Sequence, residues 1–62
     1  MKYEVILSIK SRVIVSWRFK SIDSAVRFLS EVDLEIVDAA LFRLKDFREF
    51  DVNDLLALYL GV

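Results

Sequence analysis

Apolar and polar residues alternate along the first twenty positions of the chain. Apolar side chains occupy every second position in residues 3–9 and again in residues 13–19, and several of them are β-branched or aromatic. This period of two predicts two β-strands. Placing Ile9 opposite Val13 puts all eight of these side chains on one face, so the pattern predicts an antiparallel hairpin in that register. Three-residue loops such as residues 10–12 usually contain Gly; since none is present, a wider loop is the alternative.

A helical spacing begins after Ser21. Ser21 is a favourable N-cap residue, and Asp23 supplies an acid in the first turn. Apolar residues then recur three and four positions apart with polar residues between them, which predicts a helix of about three turns. The apolar positions are Ile22, Ala25, Val26, Leu29 and Val32.

A second helix is predicted from Asp51 onward. Asp51 resembles an N-cap, with the acidic Asp54 at the third helical position, and Gly61 is a suitable stop. The apolar stripe of this helix consists of Val52, Leu55, Leu56 and Tyr59.

The segment between the two helices fits two structures. We interpret residues 39–45 as a third strand, although Leu34, Val37, Leu41 and Leu44 fit a helix over residues 34–45 about as well. The strand is favoured because two strands alone seldom form a stable sheet. In this strand we expect Ala40, Phe42 and Leu44 to face inward, and Leu41, Arg43 and Lys45 to face outward.

These elements predict an α+β fold: a single small domain over residues 1–62, in which an antiparallel hairpin and a third strand carry two helices on one face. The order is β-β-α-β-α. A domain of 7.3 kDa buries only about 60% of its unfolded surface and usually depends on disulfides, metals or oligomerisation. Because the chain has no Cys and no His, disulfides and the usual metal sites are excluded, and the remaining source of stability is self-association or docking on another protein.

The apolar composition also indicates self-association or docking on another protein. Hydrophobic residues make up 56% of the chain, and several large ones have no evident place in the core. Contiguous exposed apolar patches tend to mark interaction sites. We therefore expect a homodimer, or an adaptor, inhibitor or assembly subunit docked on a larger protein, of a kind that would suit a phage or mobile element. The predicted partner interface is Ile6, Ile14, Phe28, Leu41, Leu58 and Leu60.

Charge is unevenly distributed and supports an alternative function. Residues 1–20 hold five basic residues and one acid, whereas residues 33–62 hold seven acids and three basic residues. The alternative is a nucleic-acid-binding module that uses a basic outer sheet face. The pI of about 5.2 and the lack of an aromatic side chain on that face count against it. The candidate phosphate contacts are Arg12, Arg18, Lys20, Arg43 and Lys45.

Several classes of function are not expected. Without Cys or His the chain lacks a thiolate nucleophile and an imidazole base, and it has no Gly-rich loop, so we predict no enzyme, no cofactor and no small-molecule substrate. A calcium loop starting at Asp51 would need Gly at Leu56 and Glu at Val62, so no metal site is predicted. No apolar run reaches about 20 residues, so no membrane contact is expected, and the predicted location is the cytoplasm.

Overall fold

The computed structural model describes residues 1–61, with the side chain of Leu60 excepted. Four strands form one antiparallel sheet in the order β2-β1-β3-β4, and both helices pack on the same side of it. The predicted α+β class is confirmed, with one strand more than expected. The elements are β1 (Tyr3–Ile9), β2 (Arg12–Phe19), α1 (Ile22–Ser30), β3 (Asp38–Arg43), β4 (Arg48–Phe50) and α2 (Val52–Leu60).

The β1–β2 hairpin has the predicted register over most of its length. Tyr3 lies opposite Phe19, and Leu7 lies opposite Val15. The predicted pair of Ile9 and Val13 is wrong, because the register shifts after Leu7 and Ile9 pairs with Arg12. The connecting turn is therefore tighter than expected. It contains only Lys10 and Ser11, with φ angles of 51° and 68°, and a two-residue turn with two positive φ angles is the type I′ form that matches strand twist.

Both helices begin at the predicted caps. The Ser24 amide donates a hydrogen bond to Ser21 Oγ over 3.2 Å, and the Asp54 amide donates to Asp51 Oδ1 over 3.2 Å. Each bond satisfies one of the backbone amides left free at a helix start. Gly61 ends α2 with a φ of 68°, a left-handed conformation that favours glycine.

The segment at residues 38–43 is a strand, as favoured, but its two faces are the reverse of the prediction. Leu41 pairs with Val5, which places it on the side of the helices, where it is 0% exposed. Arg43 lies on the same side, opposite Tyr3. The expected outward orientation of Leu41 and Arg43 is therefore wrong, as is the inward orientation of Phe42, which pairs with Glu4. Side chains alternate along a strand, so pairing with β1 decides both faces together.

Strand β4 is not among the elements predicted from the sequence. A turn at residues 44–47 reverses the chain, with Phe47 at a φ of 53°. Phe50 then pairs with Leu41 and lies on the helix side, its ring centroid 6.4 Å from that of Tyr3. Three residues are too few to show a clear alternation.

The hydrophobic core lies between the sheet and the helices. Its fully buried side chains come from β1, β3 and the inner sides of α1 and α2, and the described residues include no buried polar or charged residue. The other side of the sheet carries no helix. The buried residues are Val5, Leu7, Ala25, Val26, Leu29, Leu41 and Val52.

Candidate docking surface

We call the side of the sheet opposite the helices the outer face. Alternation along each strand and the cross-strand pairs decide which residues project from it. The turn residues Leu44 and Phe47 border it at one end. The outer face consists of Glu4, Ile6 and Ser8 of β1, Val13, Ser16 and Arg18 of β2, Asp38, Ala40 and Phe42 of β3, and Glu49 of β4.

The centre of the outer face is apolar and slightly concave. A depression of about 220 Å³ is lined by Glu4, Ile6, Phe42, Leu44 and Phe47. Phe47 is 75% exposed, whereas Ile6, Phe42 and Leu44 are half-buried. An exposed aromatic ring beside half-buried apolar side chains is the composition found at the centre of protein interfaces.

Charged side chains surround this apolar centre. Arg18 Nε donates to Glu4 Oε1 over 3.2 Å across β1 and β2. The Arg18 side chain is 64% exposed, and the Glu4 side chain is 19% exposed. Asp38 and Glu49 are exposed on the opposite half of the face. The outer face therefore has a basic residue at the β2 edge and acids on β3 and β4.

The predicted interface residues do not form one surface. Ile6 lies on the outer face, and Ile14, which is 55% exposed, lies in the β2 bulge at its border. Phe28 and Leu58 lie on the helices, on the other side of the sheet. Leu41 is in the core and cannot contact a partner. The side chain of Leu60 lies outside the described part of the structure.

Phe28 and Leu58 differ in their surroundings. Phe28 packs against two aromatic rings of β2, at centroid distances of 5.0 Å from Trp17 and 5.4 Å from Phe19. These rings cover the β2 end of the core, which is a structural role for Phe28. Leu58 is 77% exposed on α2. It lies on the helix side of the sheet, away from the outer face.

The candidate phosphate contacts are also dispersed. Arg12 begins β2 and Lys20 follows it, both exposed, while Arg18 is the one member shown on the outer face by strand pairing. Lys45 lies in the exposed β3–β4 turn. Arg43 is on the helix side of the sheet. The outer face therefore carries fewer basic side chains than the sequence predicts.

Arg43 is also bound by an acid. Its Nη2 lies 2.7 Å from Asp46 Oδ2, and its Nε donates to Asp46 Oδ1 over 3.0 Å. The hydrogen bond from Arg43 lowers the pKa of Asp46 to about 2, and the same bond raises the pKa of Arg43. The guanidinium groups of Arg43 and Arg48 both lie over the Phe50 ring, at 5.7 and 5.6 Å. Arg43 is thus engaged within the chain.

A second depression lies at the end of the sheet where the N-terminus meets the β3–β4 turn. Its volume is about 450 Å³. It is lined by Met1, Lys2, Tyr3, Arg43, Leu44 and Lys45. Three of these side chains are basic: Lys2, Arg43 and Lys45.

The sequence pattern did not identify three apolar residues that lie on or beside the outer face: Phe42, Leu44 and Phe47. Phe42 and Leu44 were expected in the core, and Phe47 belonged to no predicted element. Residues 38–45 carry apolar side chains on both alternating sets, so the sequence holds no local signal for which set faces the helices. Only the pairing with β1 could have identified them.

Comparison with protein-family models, with curated proteins and with solved structures gives no match. Within residues 1–61, no group of three or more acidic, His or Cys side chains is placed to hold a metal ion. Neither of the two described helices is long and apolar enough to cross a membrane.

Proposed function

We propose that this protein is a small non-enzymatic interaction module that binds protein through the outer face of its sheet, either by self-association or by docking on a larger protein. The observation that carries this proposal is the contiguous apolar group of Ile6, Phe42, Leu44 and Phe47 on the side of the sheet without helices. Antiparallel sheets often have one solvated face, but the side chains on that face are normally polar. A location in the cytoplasm is part of the same proposal.

Energetics support the same function. A chain of 62 residues has little stability to spare. Covering apolar side chains contributes about 25 cal/mol for each Å² removed from water. Binding through the outer face would therefore stabilise the fold as well as join the partners.

Site-specific photocrosslinking tests the proposal. Phe47 is replaced by benzoylphenylalanine, which retains the aromatic ring, and cells expressing the variant are irradiated. The same replacement at Leu58 is the matched control, since both residues are about three-quarters exposed but Leu58 lies on the helix side. We expect an adduct of defined mass from position 47 and none from position 58. Equal adducts from both positions, or an adduct from position 58 alone, would contradict the proposal.

Nucleic-acid binding is the second candidate function. The observation in its favour is the 450 Å³ depression, with Lys2, Arg43 and Lys45 in its lining. Against it, Arg18 and Arg43 already pair with Glu4 and Asp46. Filter binding to single-stranded and double-stranded DNA and RNA across a salt series tests it. The candidate requires binding at low salt that weakens steeply as salt rises, and no binding at low salt would exclude it.

A further inference from the structure

The outer face has opposite charges at the two ends of a single row. Arg18, Glu4, Phe42 and Glu49 lie side by side across β2, β1, β3 and β4. Arg18 and Glu49 occupy the two edges of the sheet, about 14 Å apart at the usual strand spacing. A second copy of the face, turned so that the row runs in the opposite direction, would therefore place a charge of opposite sign over each end of the row.

We infer that the outer face binds a second copy of this chain, face to face, about a two-fold axis that runs parallel to the strands between β1 and β3. This inference rests on the proposed function and names its partner. Such an axis places Arg18 of each copy over Glu49 of the other, so the dimer has two matching ion pairs. An axis perpendicular to the strands would instead place Arg18 over Arg18 and Glu49 over Glu49, and like charges facing one another disfavour that arrangement.

The apolar centre fits the same axis. Ile6 and Ala40 are cross-strand partners on either side of it. The axis therefore places the large Ile6 of each copy over the small Ala40 of the other, which allows the two faces to interdigitate. The same axis places Phe42 of each copy over Glu4 of the other, and Phe47 borders this contact.

Two further observations favour a second copy over an unrelated partner. The net charge of −1 gives little long-range repulsion between copies. Arg18 uses only its Nε for Glu4, so its terminal guanidinium nitrogens remain available to Glu49 of the second copy. Arg18 and Glu49, the two members of the expected pair, are both exposed in the isolated chain.

The size of the face sets the expected strength. The four strands contain 7, 8, 6 and 3 residues. At about 3.3 Å per residue and about 4.8 Å between strands, the face measures roughly 400 Å², so on the order of 800 Å² is buried in total by the two copies. This is below the roughly 1,200 Å² of stable interfaces and is the size of a weak, transient one. We therefore expect a dimer with a dissociation constant in the micromolar range or weaker, in exchange with the monomer.

A charge-exchange experiment tests the inference. Sedimentation equilibrium is run on the wild type, on Arg18→Glu, on Glu49→Arg and on an equimolar mixture of the two variants, from about 1 µM to about 1 mM. Each variant alone replaces two attractive pairs by two repulsive pairs, so its dimer is expected to be at least about tenfold weaker. The mixture restores both pairs in the heterodimer and is expected to return to within about threefold of the wild type.

Matched charge reversals off the face serve as controls. Arg27→Glu on α1 and Glu35→Arg in the α1–β3 loop change the net charge by the same amounts at exposed positions. They are expected to leave the dimer within about twofold of the wild type. Circular dichroism of each variant checks the fold, and Glu49→Arg, on a three-residue edge strand, is the variant least able to disturb it.

The outcomes separate the two proposals. A dimer that Arg18→Glu and Glu49→Arg leave unchanged, or a mixture that is not restored, overturns the two-fold arrangement. A wild type that stays monomeric throughout overturns the second copy as partner. In that case an adduct from position 47 to a different protein would still support docking through the outer face. Absence of both the dimer and the adduct would refute the proposed function as well.

Discussion

The turn of the first hairpin combines two unfavourable backbone conformations, so a double substitution there should stabilise the protein. Lys10 and Ser11 have φ angles of 51° and 68°, and a left-handed conformation costs about 1–2 kcal/mol for a residue that is not glycine. Lys10→Asn together with Ser11→Gly gives the Asn-Gly pair that this turn prefers. Part of the gain is lost, because glycine also increases the entropy of the unfolded chain by an equivalent of about 0.5–1 kcal/mol.

The net increase in the free energy of unfolding is expected to be about 1 kcal/mol. In a domain this small, that change raises Tm by about 4–8 °C. Thermal unfolding followed by circular dichroism measures it, at one fixed protein concentration because the Tm of a self-associating protein depends on concentration.

A serine elsewhere in the same hairpin provides the control. Ser16 is an exposed residue within β2, where glycine is expected to lower stability by about 0.5–1 kcal/mol. The same change of Ser to Gly should therefore have opposite signs at positions 11 and 16. A Lys10→Asn/Ser11→Gly variant with a Tm equal to or below that of the wild type would refute the assignment of strain to this turn.

Three further predictions concern the core, a cap and an ion pair. Leu41→Ala should lower stability by about 2–5 kcal/mol in urea unfolding, whereas Leu58→Ala should change it by less than about 0.5 kcal/mol; similar losses would contradict the assigned burial. Asp51→Ala should cost about 1 kcal/mol and lower the amide protection of α2 in hydrogen exchange; unchanged protection would argue against the cap. The pKa of Asp46 is lowered from 3.8 to about 2, chiefly by Arg43, so its contribution to stability is present above pH 3.8 and is lost as the pH falls toward about 2. NMR titration of the Asp46 carboxyl measures this pKa, and Arg43→Gln should return it toward 3.8.

The parts of the fold that the sequence predicts well are those decided locally. Ser21 and Asp51 each carry a side-chain oxygen at the right distance from a free amide, so both helix starts follow from residue type and spacing. The hairpin register over Tyr3 to Leu7 follows from two strands that both alternate cleanly. In each case a slip by one residue would expose or bury the wrong set of side chains.

The parts that the sequence leaves open are those decided by distant pairing. Leu41 and Phe42 are both apolar neighbours in one strand, and only the pairing with Val5 and Glu4 determines which of them enters the core. The short β4 is a strand because β3 lies beside it, since three residues have little strand signal of their own. The outer face was misassigned for the same reason, as its position depends on the face that β3 presents.

The position of β1 in the sheet has a consequence for synthesis of the chain. β1 is synthesised before β2 and β3 but lies between them. The adjacent β2 can pair with β1 within microseconds, whereas β3 can begin to pair only after Asp38, the partner of Ser8, has been added. At about 5–20 residues per second, the second edge of β1 stays unpaired for roughly 1–4 s of translation. During that interval the nascent hairpin offers a free strand edge, and the slow step of folding is the long-range closure that removes it.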